Sequence, residues 1–177
     1  MSSFGGAVFL DRDGIINEPI IRDGLPFSPM DVDEFYFTSE IVPLTKKIKD
    51  RGFSIFVISN QPEVARGNLS TEMLAKMNIL MMKKLPIKDF IICTHDDADQ
   101  CSCRKPRPGS IISLSEKYGI NLRKSFMIGD RWKDVEAGKS AGCRTIFLDR
   151  GYSEPINCRP DHIVGSLLSC ESFILGD

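Results

Sequence analysis

Short β-branched and aromatic runs alternate along this chain with stretches of helical period, and few folds accommodate that alternation. The runs are residues 7–10, 53–58, 90–92, 126–128 and 145–148. Such a pattern predicts a parallel sheet wrapped by crossover helices, so the expected class is α/β: a three-layer, Rossmann-like sandwich. Ser39 is expected to cap a helix through Ile41, Leu44 and Ile48 that ends at Gly52, with Pro43 tolerated in its first turn. Ser70 opens a second, whose Met73, Met77, Leu80 and Met81 form a core stripe and which Pro86 stops. A third helix is expected from near Pro108 to Gly119 and a fourth from Lys133 to Gly142. Residues 162–164 suit an edge strand, residues 166–175 a closing helix, and Gly24 to Pro29 a surface loop.

With 177 residues and no break in composition, one domain over 1–177 is expected. The 23 basic residues nearly cancel the 24 acidic ones, which leaves no long-range field for nucleic acid or anionic lipid. Any anion must therefore be captured locally, and the expected partner is a small molecule. Met1 to Gly6 lacks a basic leader, and no apolar run approaches the roughly 20 residues of a membrane span. A cytoplasmic monomer is the expectation.

In an open parallel sheet, ligands gather beyond the carboxyl ends of the strands. The first strand ends in Asp11-Arg12-Asp13-Gly14, whose two carboxylates point to one side of an extended backbone. That proximity calls for a cation, and hard oxygen ligands suit Mg2+; a plain turn would use the same residue types. Ser59-Asn60-Gln61 ends the second strand with groups able to bind phosphate oxygens. Gly129-Asp130 ends the fourth and offers a further acid for the metal, while Asp134 suits a helix start. Between them lies Arg104-Lys105-Pro106-Arg107-Pro108-Gly109, from which Lys105 could pair with both a phosphoryl group and Asp11.

This ordered set resembles the four motifs of the haloacid dehalogenase superfamily: Asp11-x-Asp13-Gly14, Ser59, Lys105, and Gly129-Asp130 with Asp134. The resemblance implies a phosphatase in which Asp11 attacks phosphorus and Asp13 acts as acid and then base. It further implies that catalytic Mg2+ is held by Asp11, Asp130 and the Asp13 carbonyl, with Ser59 and Lys105 steadying the phosphoryl group. Only about 45 residues separate Asp13 from Ser59, too few for a folded cap domain beside the helix and strand already there.

Cys93-x-His95 and Cys101-x-Cys103 supply four ligands on one excursion, so a structural Zn2+ is expected in a loop at 93–103, positioning Arg104-Lys105. Cys143, Cys158 and Cys170 have no ligand partner beside them and read as buried or spare thiols. Within the superfamily, this loop resembles those of heptose 1,7-bisphosphate phosphatases and histidinol-phosphate phosphatases. Asn60-Gln61, Ala65-Arg66-Gly67 and Cys103-Arg104-Lys105-Pro106 are closer to the heptose group. By that resemblance Asn17, Arg22, Asn60, Gln61, Arg66, Arg104 and Arg131 contact substrate. Pro62-Glu63 and Ile15 depart from its small Ser-Gly pair and its threonine, and a carboxylate near a phosphate path disfavours a second phosphate. The competing expectations are a histidinol-phosphate phosphatase and an inactive, zinc-stabilised binding protein.

Overall fold

The structure is a computed structural model that describes residues 5–176; Met1–Phe4, part of the segment read above for a leader, lie outside the described residues. Six parallel strands form the central sheet: β1 (Ala7–Leu10), β4 (Ser54–Asn60), β5 (Asp89–Cys93), β6 (Phe126–Gly129), β7 (Arg144–Leu148) and β8 (His162–Val164). Their order is β5-β4-β1-β6-β7-β8, so the chain builds outward from β1 on one side and then returns to its other side. The reversal places the ends of β1 and β6 at the switch point, where a doubly wound sheet opens a crevice for ligands.

Among the described residues five α-helices, α1 (Ile41–Asp50), α2 (Thr71–Lys84), α3 (Gly109–Tyr118), α4 (Trp132–Ala141) and α5 (Cys170–Leu175), cover the sheet. Because successive strand residues face opposite sides, β1 sends Val8 and Leu10 into one core with Ile41, Leu44, Met77 and Ile174. Ala7 and Phe9 enter the other, with Ile111, Leu114 and Ala137. Every residue of β1 is fully buried, and each large apolar side chain so placed contributes about 1.5–3 kcal/mol. Helix α4 lies especially close: a Cβ on Gly138 would meet Met127 Cβ at 2.6 Å and Thr145 Cγ2 at 2.8 Å. Among the described residues, no helix is long and apolar enough to cross a membrane.

Local details differ from the sequence expectations. Glu40, not Ser39, occupies the start of α1, without a side-chain cap; its carboxylate instead accepts the Leu168 N–H. Ser70 does cap α2, accepting from Met73 N–H, but the buried face runs through Leu74, Met77 and Met81 while Leu80 lies on the exposed side. The closing helix is confined to Cys170–Leu175, because residues 166–169 form a turn held by Ser166 and Ser169.

The largest departure is at residues 24–29, where the expected surface loop proves to hold the second half of a hairpin arm that spans residues 20–27. Strands β2 (Ile20–Arg22) and β3 (Leu25–Phe27) pair antiparallel around Asp23-Gly24, both at positive φ (51° and 75°). Two such residues make the turn whose twist matches a hairpin. This arm and α1 occupy the stretch between β1 and β4, so no folded cap intervenes.

Candidate active site

Directly after β1, the chain turns back on itself. Arg12 C=O accepts from the N–H groups of Ile15, Ile16 and Asn17, and Gly14 takes φ +87°. A side chain at Gly14 would collide with Asp130, its Cβ only 1.7 Å from Oδ2, so glycine is required both for the turn and for the approach of β6. The fully buried Arg12 guanidinium lies over the Phe35 ring and donates to Asp13 Oδ1 at 3.1 Å. This holds the Asp13 carboxylate from beneath.

Asp11 lies at the cleft floor, where its Oδ1 accepts from Arg12 N–H at 2.8 Å and Lys105 Nζ at 2.7 Å. Lys105 also donates to Asp134 Oδ1 at 2.6 Å and Ile58 C=O at 3.0 Å, using all three ammonium protons. Burial opposes its charge, but Asp11 and Asp134 outweigh burial and raise its pKa. Asp11 itself is pushed up to about 7, chiefly by burial and then by Asp134, against the pull of Lys105. Burial, reinforced by Asp11 and Asp134, also lifts Asp130 well above the usual carboxylate range.

Carboxylate oxygens of Asp11, Asp130 and Asp134 lie within 4.8 Å of one another. Asp134 has both of its oxygens engaged, one by Lys105 and the other by the Arg131 N–H at the start of α4. Asp130 differs. Its Oδ2 accepts from the Tyr152 hydroxyl at 2.6 Å, whereas Oδ1 is buried with no partner among the described residues. Three buried carboxylates against one ammonium leave excess negative charge, and an orphaned hard oxygen faces it; a small divalent cation fits this donor set.

Asp13 accepts from Ser28 Oγ at 2.7 Å and Gln61 Nε2 at 2.6 Å. Burial would raise its pKa, but Arg12, Ser28, Gln61 and Asn17 together hold it below the usual carboxylate range. Ser59 accepts from the same Gln61 amide at 2.9 Å and faces the cleft. Asn60 clamps the Lys105 peptide, donating to its C=O at 2.9 Å and accepting its N–H at 3.0 Å.

The cleft encloses about 640 Å3, walled on one side by the hairpin arm and on the other by the loops after β4, β5 and β6. Arg22, Asn60, Arg66, Arg104 and Arg131 all line it. Arg22 lies over Phe27; Arg66 donates to Asp96 and Glu63, Arg104 to Asp97, and Arg131 to Glu154. Asn17 and Gln61 lie behind the cleft wall and meet it through Asp13. Both are fully buried: Asn17 donates to Glu18 C=O, and the Gln61 amide is committed to Asp13 and Ser59.

Beyond the end of β5, Cys93, His95, Cys101 and Cys103 converge. Cys103 Sγ is 3.2 Å from Cys93 Sγ, 3.4 Å from Cys101 Sγ and 3.4 Å from His95 Nδ1. Cys93 is 3.6 Å from both Cys101 Sγ and His95 Nδ1. A tetrahedral centre with metal–sulfur bonds of about 2.3 Å has edges of about 3.8 Å, so the set is close to the shape that one ion requires. Cys143, Cys158 and Cys170 stand apart as free thiols.

A family model described as HAD-hydrolase-like matches residues 102–170, a span that includes Lys105, Asp130 and Asp134. The D-glycero-alpha-D-manno-heptose-1,7-bisphosphate 7-phosphatase of Photorhabdus laumondii is 34% identical over 152 residues, covering 79% of this chain and 80% of its own. The chain belongs to the haloacid dehalogenase-like phosphatases. It is a phosphoric monoester hydrolase, and its family generally uses Mg2+. The D-glycero-beta-D-manno-heptose-1,7-bisphosphate 7-phosphatase of Escherichia coli K12 is 30% identical over 156 residues, covering 81% of this chain and 78% of its own. In fold, the phosphatase superposes with a TM-score of 0.79 on the D,D-heptose 1,7-bisphosphate phosphatase of B. bronchiseptica, a structure complexed with magnesium and phosphate. That match has 22% identity and covers 96% and 98% of the two chains.

Sequence reasoning missed three parts of the phosphatase site. Ser28 on Asp13 and the arm that carries it were hidden in the presumed loop, although Asp23-Gly24 between apolar residues is a hairpin signal. Tyr152 on Asp130 and Glu154 on Arg131 come from the loop after β7, and no local motif marks them.

Proposed function

We propose that this phosphatase removes the 7-phosphate of D-glycero-D-manno-heptose 1,7-bisphosphate through a phosphoryl group carried on Asp11. The observation that carries the mechanism is the buried Lys105 ammonium bridging Asp11 and Asp134 beside the unpartnered oxygen of Asp130. The named activities of the Photorhabdus and Escherichia relatives support the substrate. Glu63, the carboxylate that would repel a second phosphate, is already engaged by Arg66 and Asn68, which lessens that objection.

Asp11 attacks phosphorus in line, the ester P–O bond breaks, and the departing alkoxide takes a proton from Asp13. Water then attacks the aspartyl phosphate, Asp13 takes the water proton, and the Asp11–phosphorus bond breaks to release inorganic phosphate. Arg12, Ser28 and Gln61 hold Asp13 below the usual carboxylate range, so it has to take up a proton before it can serve as the acid. Lys105 and Ser59 steady the equatorial oxygens, and Arg22, Asn60, Arg66, Arg104 and Arg131 face the sugar. Asp11 and Asp130, with the Asp13 carbonyl, would hold Mg2+, which when bound neutralises charge on the phosphoryl oxygens. Cys93, His95, Cys101 and Cys103 would hold structural Zn2+. Six free cysteines suit the reducing cytoplasm.

The test is Mg2+-dependent phosphate release from both anomers of the bisphosphate and from histidinol phosphate, beside an Asp11→Asn variant. Preferred turnover of one heptose anomer, abolished in the variant, is the expected result. Preference for histidinol phosphate would overturn the substrate, and full turnover by the variant would overturn the mechanism.

A further inference from the structure

We infer that Tyr152 is a positioning residue for the metal site: it holds one oxygen of Asp130 so that the other is presented to the cation. This inference rests on the proposed Mg2+ site. Two independent observations meet at this carboxylate. The Tyr152 hydroxyl donates to Oδ2 at 2.6 Å, and Oδ1 is left buried without a partner. A carboxylate that can rotate offers either oxygen; one bonded on Oδ2 and packed against Gly14 cannot rotate without losing the bond or striking the backbone.

The loop that carries Tyr152 is itself anchored on both sides of the site. Arg150 Nε donates to Gly14 C=O at 2.7 Å, Ser153 N–H to Gly24 C=O at 2.9 Å, and Glu154 accepts from Arg131 Nε at 2.8 Å. The first bond ties it to the turn after β1, the second to the tip of the hairpin arm, and the third to the residue following Asp130. Tyr152 is thus delivered to Asp130 from a strap fixed at three points, so its hydroxyl acts as a stop rather than a mobile donor. Removing a partner of this kind typically weakens metal binding 10–100-fold while leaving the ligands in place.

The experiment is a Mg2+ titration of the full chain and of Tyr152→Phe, by calorimetry and by the fluorescence of Trp132, which lines a small cavity together with Tyr152 and Glu154. Phenylalanine removes one oxygen from a half-buried ring, and the melting temperature without Mg2+ reports whether the fold is kept. Expected are a Mg2+ Kd raised about tenfold, a metal-free protein that still unfolds cooperatively at a melting temperature lowered by a few degrees for the lost hydrogen bond, and a kcat restored at saturating Mg2+. Equal affinity in the two proteins would overturn the inference and leave the metal site standing, as would a lowered kcat at unchanged affinity. If the wild-type chain bound no Mg2+, the metal site and the inference would both fall.

Discussion

The acidic cluster and the thiol cluster are both shaped for an ion, but they are held in shape by opposite means. Asp11, Asp130 and Asp134 come from two strand ends and a helix start, lie nearly or fully buried, and are braced by Lys105, Tyr152 and the Arg131 N–H. Cys93, His95, Cys101 and Cys103 come from eleven consecutive residues, and only Cys93 is buried. The first cluster keeps its geometry through tertiary packing, and a cation there relieves repulsion. In the second, the proposed ion would hold together what only a short loop otherwise gathers. Losing the ion should therefore change charge in the acidic cluster and conformation in the thiol cluster.

The sharpest way to break this contrast is Lys105→Met. Its ammonium carries three hydrogen bonds in the core, and its loss leaves Asp11 and Asp134 facing each other uncompensated. Breaking a buried pair of this kind costs about 3–5 kcal/mol, and turnover should vanish with it. Chemical denaturation without Mg2+ checks the first effect; a variant as stable as wild type would mean that the acidic cluster is not pre-braced.

Next in size is removal of the proposed Zn2+ by a chelator or by Cys101→Ser. With free zinc a few hundred-fold above its Kd, bound metal contributes about 3 kcal/mol, which the loss forfeits. Protease nicking should then appear between Cys93 and Lys105, while Mg2+ removal leaves the same loop intact. Nicking that follows Mg2+ instead of Zn2+ would reverse the contrast.

A third test uses protons. The folded, metal-free chain raises the Asp11 pKa from an ordinary 3.8 to about 7, so between those values it binds a proton that the unfolded chain has released. Stability of the metal-free protein is therefore favoured at the acid end of that window and falls as pH rises toward 7. Mg2+ competes with the same proton, and with any held on the likewise raised Asp130, so its affinity should drop at least about tenfold, about 1.4 kcal/mol, from pH 8 to pH 6. Calorimetry at the two pH values decides it, since a flat profile would show that Asp11 is ionised before the metal arrives.

These contrasts follow unequally from sequence. The sheet was legible because β1, β4 and β6 are buried on both faces and so carry apolar runs, which give way to Asp11, Ser59 and, after Gly129, Asp130. The four thiol-cluster positions were legible because they are local. The full burial of Asn17 and Gln61 was not legible, because a motif gives a position along the chain, whereas burial depends on what packs above it. Tyr152 reaches Asp130 across 22 residues through a loop whose course depends on Gly14 and Gly24, and nothing local to residue 152 encodes that.

The smallest effect concerns the place where the two regions join. Lys105 is two residues beyond Cys103, yet its ammonium lies in the acidic cluster, so the intervening backbone must be held by something other than the thiols. Asn60 supplies that hold, with one amide pairing both the N–H and the C=O of Lys105 from the end of β4. Asn60→Ala leaves two partly buried backbone groups unpaired, a loss of about 1 kcal/mol after water compensates in part. If zinc alone positioned Lys105, the variant would keep full turnover. If the clamp positions it, kcat should fall with zinc content unchanged, and Asn60→Gln, one methylene longer, should not restore it. Metal analysis beside steady-state kinetics separates the two, and the double variant with Cys101→Ser shows whether clamp and ion act independently: additive losses mean two separate holds on Lys105, and a shortfall means that each acts through the other.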